Sequence, residues 1–469
     1  MTLDEAIAKI LALEHQLSAL GQENHLLRER LSELERRLSL DSGNSSKPPS
    51  SDGLEKSPHR TKSLRRKSHR NSGGQPGHQG QTLEAVSHPD VVIQHPAPEQ
   101  CRCGVDVWHV PVTAVLKRQV FDIPQPQIVV TEHQVCVKRC PNCQQRVQTG
   151  FPEGVNAPVQ YGPRVRAIAT YLNQQHFIPE ERLSEVLTDI FRCSMSPATI
   201  VKLSNTVKQS FEPLIESLRA TLQASPVKHL DETGLRIGGH TQWLHVVSTA
   251  TETWYRTAVK RKDLEPLKMM TGVVVHDHWK PYFQLEGLAH SLCNAHHLRE
   301  LKALQEIEQE AWATSMAHLL RVACRYKHRS VKGIPKAIQA RIERLYRQIL
   351  ARGLAVHEAL EPLPQKSERG RPKRRVGHNL RLRLKQFEAD VLRFLRQPAV
   401  PFSNNQAERD LRMMKLKQKI SGSFRSSEGA RTFAVIRSVL STARKRGLNL
   451  LDVLSAAVQG ETPSLVLET

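Results

Sequence analysis

The chain has 469 residues, and 68 Lys and Arg against 46 Asp and Glu give it a formal net charge of +22. That length exceeds one compact core, and so large a positive excess points to a polyanion, nucleic acid first, as partner. No apolar run approaches the roughly 18 residues of a spanning helix, and the acidic opening MTLDEAIAKI lacks a secretory layout, so no membrane is expected and the location is read as cytoplasmic, with the nucleoid.

Residues 3 to 38 repeat apolar side chains at 3–4 spacing, with Leu3, Ile10, Leu17, Asn24, Leu31 and Leu38 at one core position and Ala6, Leu13, Leu20, Leu27 and Leu34 at the other. Five such heptads predict a coiled coil over 1–40. Asn24 suits the buried register-setting place of a parallel homodimer, and Lys9–Glu14, Glu23–Arg28 and Arg30–Glu35 would pair attractively across it. The plainer alternative is an amphipathic helix packed on its own chain.

Residues 41–85 lose all periodicity and read as a basic, disordered linker. Its cations, Arg65, Arg66 and Lys67 among them, would touch phosphates without reading bases. Residues 86–155 follow with CRCG and CPNC, two cysteine pairs separated by β-branched segments such as VVIQHP and QIVVTEHQVCV. This layout predicts a zinc ribbon in which Cys101, Cys103, Cys140 and Cys143 hold one structural Zn²⁺, with Cys136 a spare thiol or a substitute ligand.

Over 156–224 the pattern turns helical, and Ser196-Pro197 is a natural helix start. Helix, turn and capped helix fit a helix-turn-helix that would aim Thr199, Lys202 and Asn205 at a major groove.

Next, SPVKHLDETGLRI reads as a strand carrying Asp231, TQWLHVVSTATETWYRTAV as one or two more, DLEPLKMM as a helix, and TGVVVHDHWKPYF as a buried strand ending at Asp277. This β-β-β-α-β run is the order of a ribonuclease H-like core, in which the first and fourth strands lie side by side and their terminal carboxylates share divalent cations. A third carboxylate is offered by Glu408, early in a helix that Ser403 or Asn404 would cap, and the cations Arg409, Arg412, Lys415, Lys417 and Lys419 surround it as a face for DNA. Glu232, next to Asp231, and Asp410, two residues after Glu408, should point away by strand or helix geometry.

SSKPPSSDG, GGQPGHQG, CPNC, HLDETG, VVVHDHWKPYF and SNNQAERDLRMMKLKQKISGSFRS together resemble transposases of the insertion sequence 66 family, in order across nearly the whole chain. The resemblance implies a DDE transposase with leucine zipper, zinc ribbon, helix-turn-helix and ribonuclease H-like core. Its catalytic triad falls on Asp231, Asp277 and Glu408, working with two Mg²⁺ or Mn²⁺ ions on transposon-end and target DNA. Companion proteins of the same element are implied as well. The fold expected is therefore α/β and multidomain. The catalytic core spans 225–297 and 400–426, with a helical insertion over 298–399 between the second and third acids and C-terminal helices over 427–469. Cys293, His296 and His297 suggest either a second metal or a structural, DNA-facing turn. The resemblance gives the Cys and His there no role. A non-catalytic DNA-binding regulator would leave the three carboxylates unexplained, and a junction-resolving nuclease would not need so many modules.

Overall fold

A computed structural model describes residues 3–41, 43–45, 83–330, 333–361, 363 and 374–465. Helix α1, Leu3–Ser39, is a single long rod, and Leu20, Leu27, Leu31, Leu34 and Leu38 of the apolar repeat all stand exposed on it. The predicted linker does not begin at once. Asp41 and Asn44 are buried in a turn in which Asp41 Oδ1 accepts from the N–H groups of Gly43 (2.7 Å) and Asn44 (3.2 Å), and Asn44 Nδ2 donates to the Ser39 carbonyl (3.2 Å) and to Glu306 (3.4 Å). Asx side chains close turns by satisfying nearby backbone in this way. Arg65, Arg66 and Lys67 lie outside the described residues.

The cysteine-bearing region departs from expectation. Its only ladder pairs β1, Val137–Arg139, with β2, Arg146–Gln148, beside a single Gln100–Asp106 bridge. The β-branched segments between the cysteine pairs run extended without partners, and Val91, Val92, Ile93, Val129 and Val130 are exposed. Strand propensity is realised only where a pairing edge and a buried face are supplied, and here neither is.

Three helices follow: α2, Pro163–Thr170, which widens into a π turn over Tyr171–Gln175, then α3, Glu180–Phe191, and α4, Pro197–Ala224. Ser196 caps α4, its hydroxyl accepting from the Thr199 N–H. Twenty-eight residues make α4 far longer than a recognition helix needs, and its second half, through Phe211, Leu218 and Leu222, is buried in the body of the protein.

That body is built on a five-stranded sheet: β3, Val227–Ile237, β4, His240–Ser248, β5, Thr253–Ala258, β6, Val273–His276, and β7, Ala289–Leu292, in the order β5-β4-β3-β6-β7. The first three are antiparallel, and β6 and β7 join parallel beside β3. The parallel β6 is covered on both faces, which is why all four of its residues are buried and its sequence is a continuous Val run. The helix expected between β5 and β6 is only a 3-10 turn, Glu265–Leu267. Gly272 enters β6 at φ +82°, and a Cβ there would meet the Pro226 carbonyl oxygen at 2.6 Å. Gly272→Ala should therefore cost about 2–3 kcal/mol. A denaturation midpoint equal to wild type would contradict this account of the turn.

Among the described residues, six helices occupy the predicted insertion: α5, Asn294–Glu306, α6, Ala311–Arg329, α7, Lys336–Glu358, α8, Val376–Gln386, and the short α9, Glu388–Val391, and α10, Arg393–Arg396. They enclose a core with Trp312, Met316, Leu320, Tyr346 and Phe394, and Val273, Val275 and Leu292 of the sheet pack into it. The chain then returns through α11, Asn405–Ser421, α12, Ser427–Lys445, and α13, Leu450–Val458. Helix α12 lies on the edge strand β5 and satisfies its backbone: Ser438 Oγ accepts from the Tyr255 N–H at 2.8 Å and Thr442 Oγ1 from the Thr253 N–H at 3.0 Å. An open strand edge is thereby covered. No helix among the described residues is long and apolar enough to cross a membrane.

Candidate active site

Asp231 lies in the middle of β3, and its pleat decides which way it faces. Leu235 and Ile237, two and three pleats on, pack with Ala407, Leu411 and Met414 of α11, so Asp231 is on the face toward α11. Leu230 and Glu232 take the opposite face, where Leu230 packs with Leu222, Val274 and Tyr282. Asp277 follows the last residue of the neighbouring β6, and its Oδ1 accepts from the Trp279 N–H at 2.9 Å in an Asx turn. Glu408 stands in the first turn of α11.

Asn404 is the joint that brings Glu408 to the sheet. Its Nδ2 donates to the Leu230 carbonyl at 2.8 Å, its Oδ1 lies 2.8 Å from His229 Nδ1, and its N–H meets Cys293 Sγ at 3.1 Å. The expected side-chain cap on α11 is absent because this amide is spent on β3.

The three carboxylates share one electrostatic neighbourhood. Burial holds the Asp231 carboxyl well above the usual carboxylate range, and the charges of Glu232, Asp277 and Glu408 raise it further. A desolvated carboxylate flanked by further acids is a donor set that a hard divalent ion fits, although Glu408 also faces Arg299 and His296. The oxygens of Asp231, Asp277 and Glu408 do not form a single group of ligand atoms within 4.8 Å of one another, so one ion would not be held by all three as they stand.

The neighbours taken as bystanders are not idle. Glu232 is buried, and it accepts from Arg261 Nε at 2.9 Å and from the Tyr282 hydroxyl. The Arg261 guanidinium stacks between the rings of Trp243 (4.9 Å) and Trp279 (4.5 Å). Asp410 pairs with Lys445 Nζ at 2.8 Å, and both are largely buried. Each does point away from the triad, but into a buried ion pair, so neither is a neutral control.

The glutamate end of the site holds a second set of groups. Glu408 Oε1 lies 3.7 Å from His296 Nδ1 and 4.0 Å from Cys293 Sγ, and its Oε2 lies 3.8 Å from Arg299. Burial alone would lower His296, but the adjacent Cys293 sulfur and Glu408 carboxylate outweigh it and push the ring up to about 9. His297 is not part of this set. It is buried, with Nδ1 at 3.2 Å from Asn294 Oδ1.

A model of the Transposase IS66 family matches residues 158–432, more than half of the chain and the whole of this site. The chain belongs to the Transposase IS66 family. A second model, Family of unknown function (DUF6444), matches residues 1–84 of this family member, and no curated protein matches it.

The DNA-contact residues expected of this transposase-family chain divide. Arg409, Arg412, Lys415 and Lys419 are exposed on α11, whereas Lys417 turns back, its Nζ 3.9 Å over the Phe424 ring. Lys202 is exposed and Thr199 half-buried, but Asn205 accepts a hydrogen bond from Thr432 of α12 at 3.1 Å and does not face a groove. Its turn inward follows from α4 packing along α12, which the sequence pattern of α4 alone does not show.

The four ribbon cysteines form two separate turns. Cys101 and Gly104 close one through a 2.8 Å backbone bond, with Gly104 at φ +88°, and Cys140 and Gln144 close the other at 2.9 Å. The Cys103 N–H beside Cys101 and the Cys143 N–H beside Cys140 hold both thiols below their ordinary range, as a thiolate ligand requires. The two pairs do not converge on one point. Among the described residues the group of three or more ligand atoms drawn together is Cys293, His296 and Glu408.

Proposed function

We propose that this member of the family is a DDE transposase: it binds transposon-end DNA, cleaves it with divalent metal ions and transfers the freed 3′-OH strand into target DNA. The observation that carries the reading is the placement of Asp231, Asp277 and Glu408, from two adjacent strands and a returning helix, in one buried acidic neighbourhood. The sheet order supports a ribonuclease H-like core, since the first strand, β3, lies centrally beside the fourth, β6.

Asp231, Asp277 and Glu408 would hold Mg²⁺ or Mn²⁺, and such ions, when bound, activate an attacking oxygen on phosphorus and stabilise the leaving one. The remaining work belongs to the chain. Asn404 fixes Glu408 against β3, Arg261 and Tyr282 hold Glu232 on the far side of the strand, and Arg409, Arg412, Lys415 and Lys419 give the phosphate backbone a basic face. Nothing covalent is asked of the protein, because water and then a 3′-OH are the nucleophiles. The deciding measurement is cleavage and joining of a labelled transposon-end duplex in Mg²⁺. Tight end binding with no cleavage would leave a DNA-binding regulator instead.

The modules ahead of the core carry two further expectations. Exposed leucines along α1 and the Asn24 register support a parallel homodimer through residues 3–38. A peptide of residues 1–40 should be helical and dimeric by sedimentation, and a helical monomer would dismiss the zipper. One structural Zn²⁺ should draw Cys101, Cys103, Cys140 and Cys143 together and order the apolar segments between them. Replacing Cys140 and Cys143 together by Ser should remove one zinc per chain, and an unchanged zinc content would dismiss the ribbon site.

A further inference from the structure

We propose that Cys293, His296 and Glu408 form a metal site of the zinc class, which rests on the proposed function in sharing Glu408 with the hard-cation set of Asp231 and Asp277. Cys293 ends the turn from β7 into α5, His296 sits three residues on in the first turn of α5, and Glu408 arrives from α11, 112 residues away in sequence. One ligand atom from each lies within 4.8 Å of the other two.

The donor set decides the class of ion. A thiolate and an imidazole with one carboxylate are the ligands of Zn²⁺ or Co²⁺, whereas Mg²⁺ takes oxygen. The spacing agrees. With Zn–N and Zn–O near 2.0 Å and Zn–S near 2.3 Å, the edges of a tetrahedral site span about 3.3–3.5 Å. The observed 3.7 Å from His296 Nδ1 to Glu408 Oε1 and 4.0 Å from Cys293 Sγ to the same oxygen exceed this by a few tenths of an ångström, within small side-chain rotations.

Three features of the structure prepare the site. His296 Nδ1 is buried without a hydrogen-bond partner, an arrangement that costs free energy unless something ligates it. The Cys293 sulfur accepts the Asn404 N–H at 3.1 Å, which holds it beside the first turn of α11. Arg299 approaches Glu408 Oε2, leaving Oε1 toward the Cys and His. His296 and Glu408 retain about a fifth of their side-chain surface, so an ion can enter from that side, and occupancy would tie α11 to the β7–α5 corner.

The test is Co²⁺ titration of the full chain, read by bound equivalents and by thiolate-to-cobalt absorption. Wild type should bind one equivalent more than Cys293→Ser, with the ribbon cysteines contributing equally to both. His296→Ala should show the same loss, which covers the case in which Cys293→Ser does not fold. Cys324→Ser, at the other fully buried thiol of the insertion, should keep the full complement. Asp231→Asn should keep the thiolate-to-cobalt absorption of wild type, even where strand transfer and carboxylate-bound cobalt are lost, so the failure of this site and the failure of the DDE reading are told apart. Equal cobalt equivalents and an unchanged absorption in Cys293→Ser and His296→Ala would overturn the proposal.

Discussion

Asp231→Asn should lower strand transfer by on the order of 10³-fold or more while transposon-end binding stays intact. It should also raise the melting temperature of the metal-free chain. Both expectations follow from one arrangement. Asp231 is desolvated and set among the charges of Glu232, Asp277 and Glu408, so without a cation its own charge opposes folding. The amide is nearly isosteric and removes that repulsion. It also removes a ligand, so Mg²⁺ should stabilise wild type more than the variant. Asp277→Asn and Glu408→Gln should lose strand transfer to a similar degree. Cleavage of a labelled end duplex and thermal unfolding with and without Mg²⁺ read the two effects separately. Near-normal strand transfer by Asp277→Asn would mean that the triad is wrong, and a melting point that falls in metal-free Asp231→Asn would mean that the acidic cluster is not strained.

The second large effect lies away from the chemistry. Lys445→Met should destabilise the protein by roughly 3 kcal/mol, because removing one member of a buried pair strands the other charge. Lys445 Nζ donates to Asp410 at 2.8 Å and to the carbonyls of Thr249 and Glu252 at 2.9 and 3.0 Å, joining α12, α11 and the β4–β5 turn. Asp410→Asn, by contrast, leaves the lysine its two carbonyls and should cost less. The double variant should be less damaging than the sum of the two, since it leaves no carboxylate unpaired. Urea denaturation of the four proteins gives the coupling directly, and strict additivity would show that the pair is not an energetic unit. Asp410→Asn is consequently a poor control for Glu408→Gln, although the two acids are separated by a single residue.

Much of the core is legible in local sequence. The Val273–Val275 run announces a strand buried on both faces, the alternation around Asp231 announces β3, and 3.6-residue periodicity marks the insertion helices and the α12–α13 pair. Strand β7 escapes such reading because AHSL is four residues long with only its last two buried. The ribbon segments remain largely unpaired for the complementary reason: VVIQHP and QIVVTEHQVCV have the composition of strands, but pairing is a property of what lies beside them.

What the sequence by itself determined is therefore most elements of the core and the acids they carry: Asp231 on a strand, Asp277 after one, Glu408 in a first helical turn, and family membership through the motifs around them. Tertiary structure alone decided which of these meet and which faces are free. It set Asn404 against Leu230 and Cys293 and thereby placed Glu408 beside Cys293 and His296 rather than leaving His297 as their partner. It turned Asn205 into α12 and Lys417 onto Phe424, and it buried Glu232 and Asp410 in ion pairs. The physical reason is the same in each case. Periodicity fixes the direction of a side chain relative to its own element, whereas its partner, its desolvation and its charge environment are fixed by another element more than a hundred residues away.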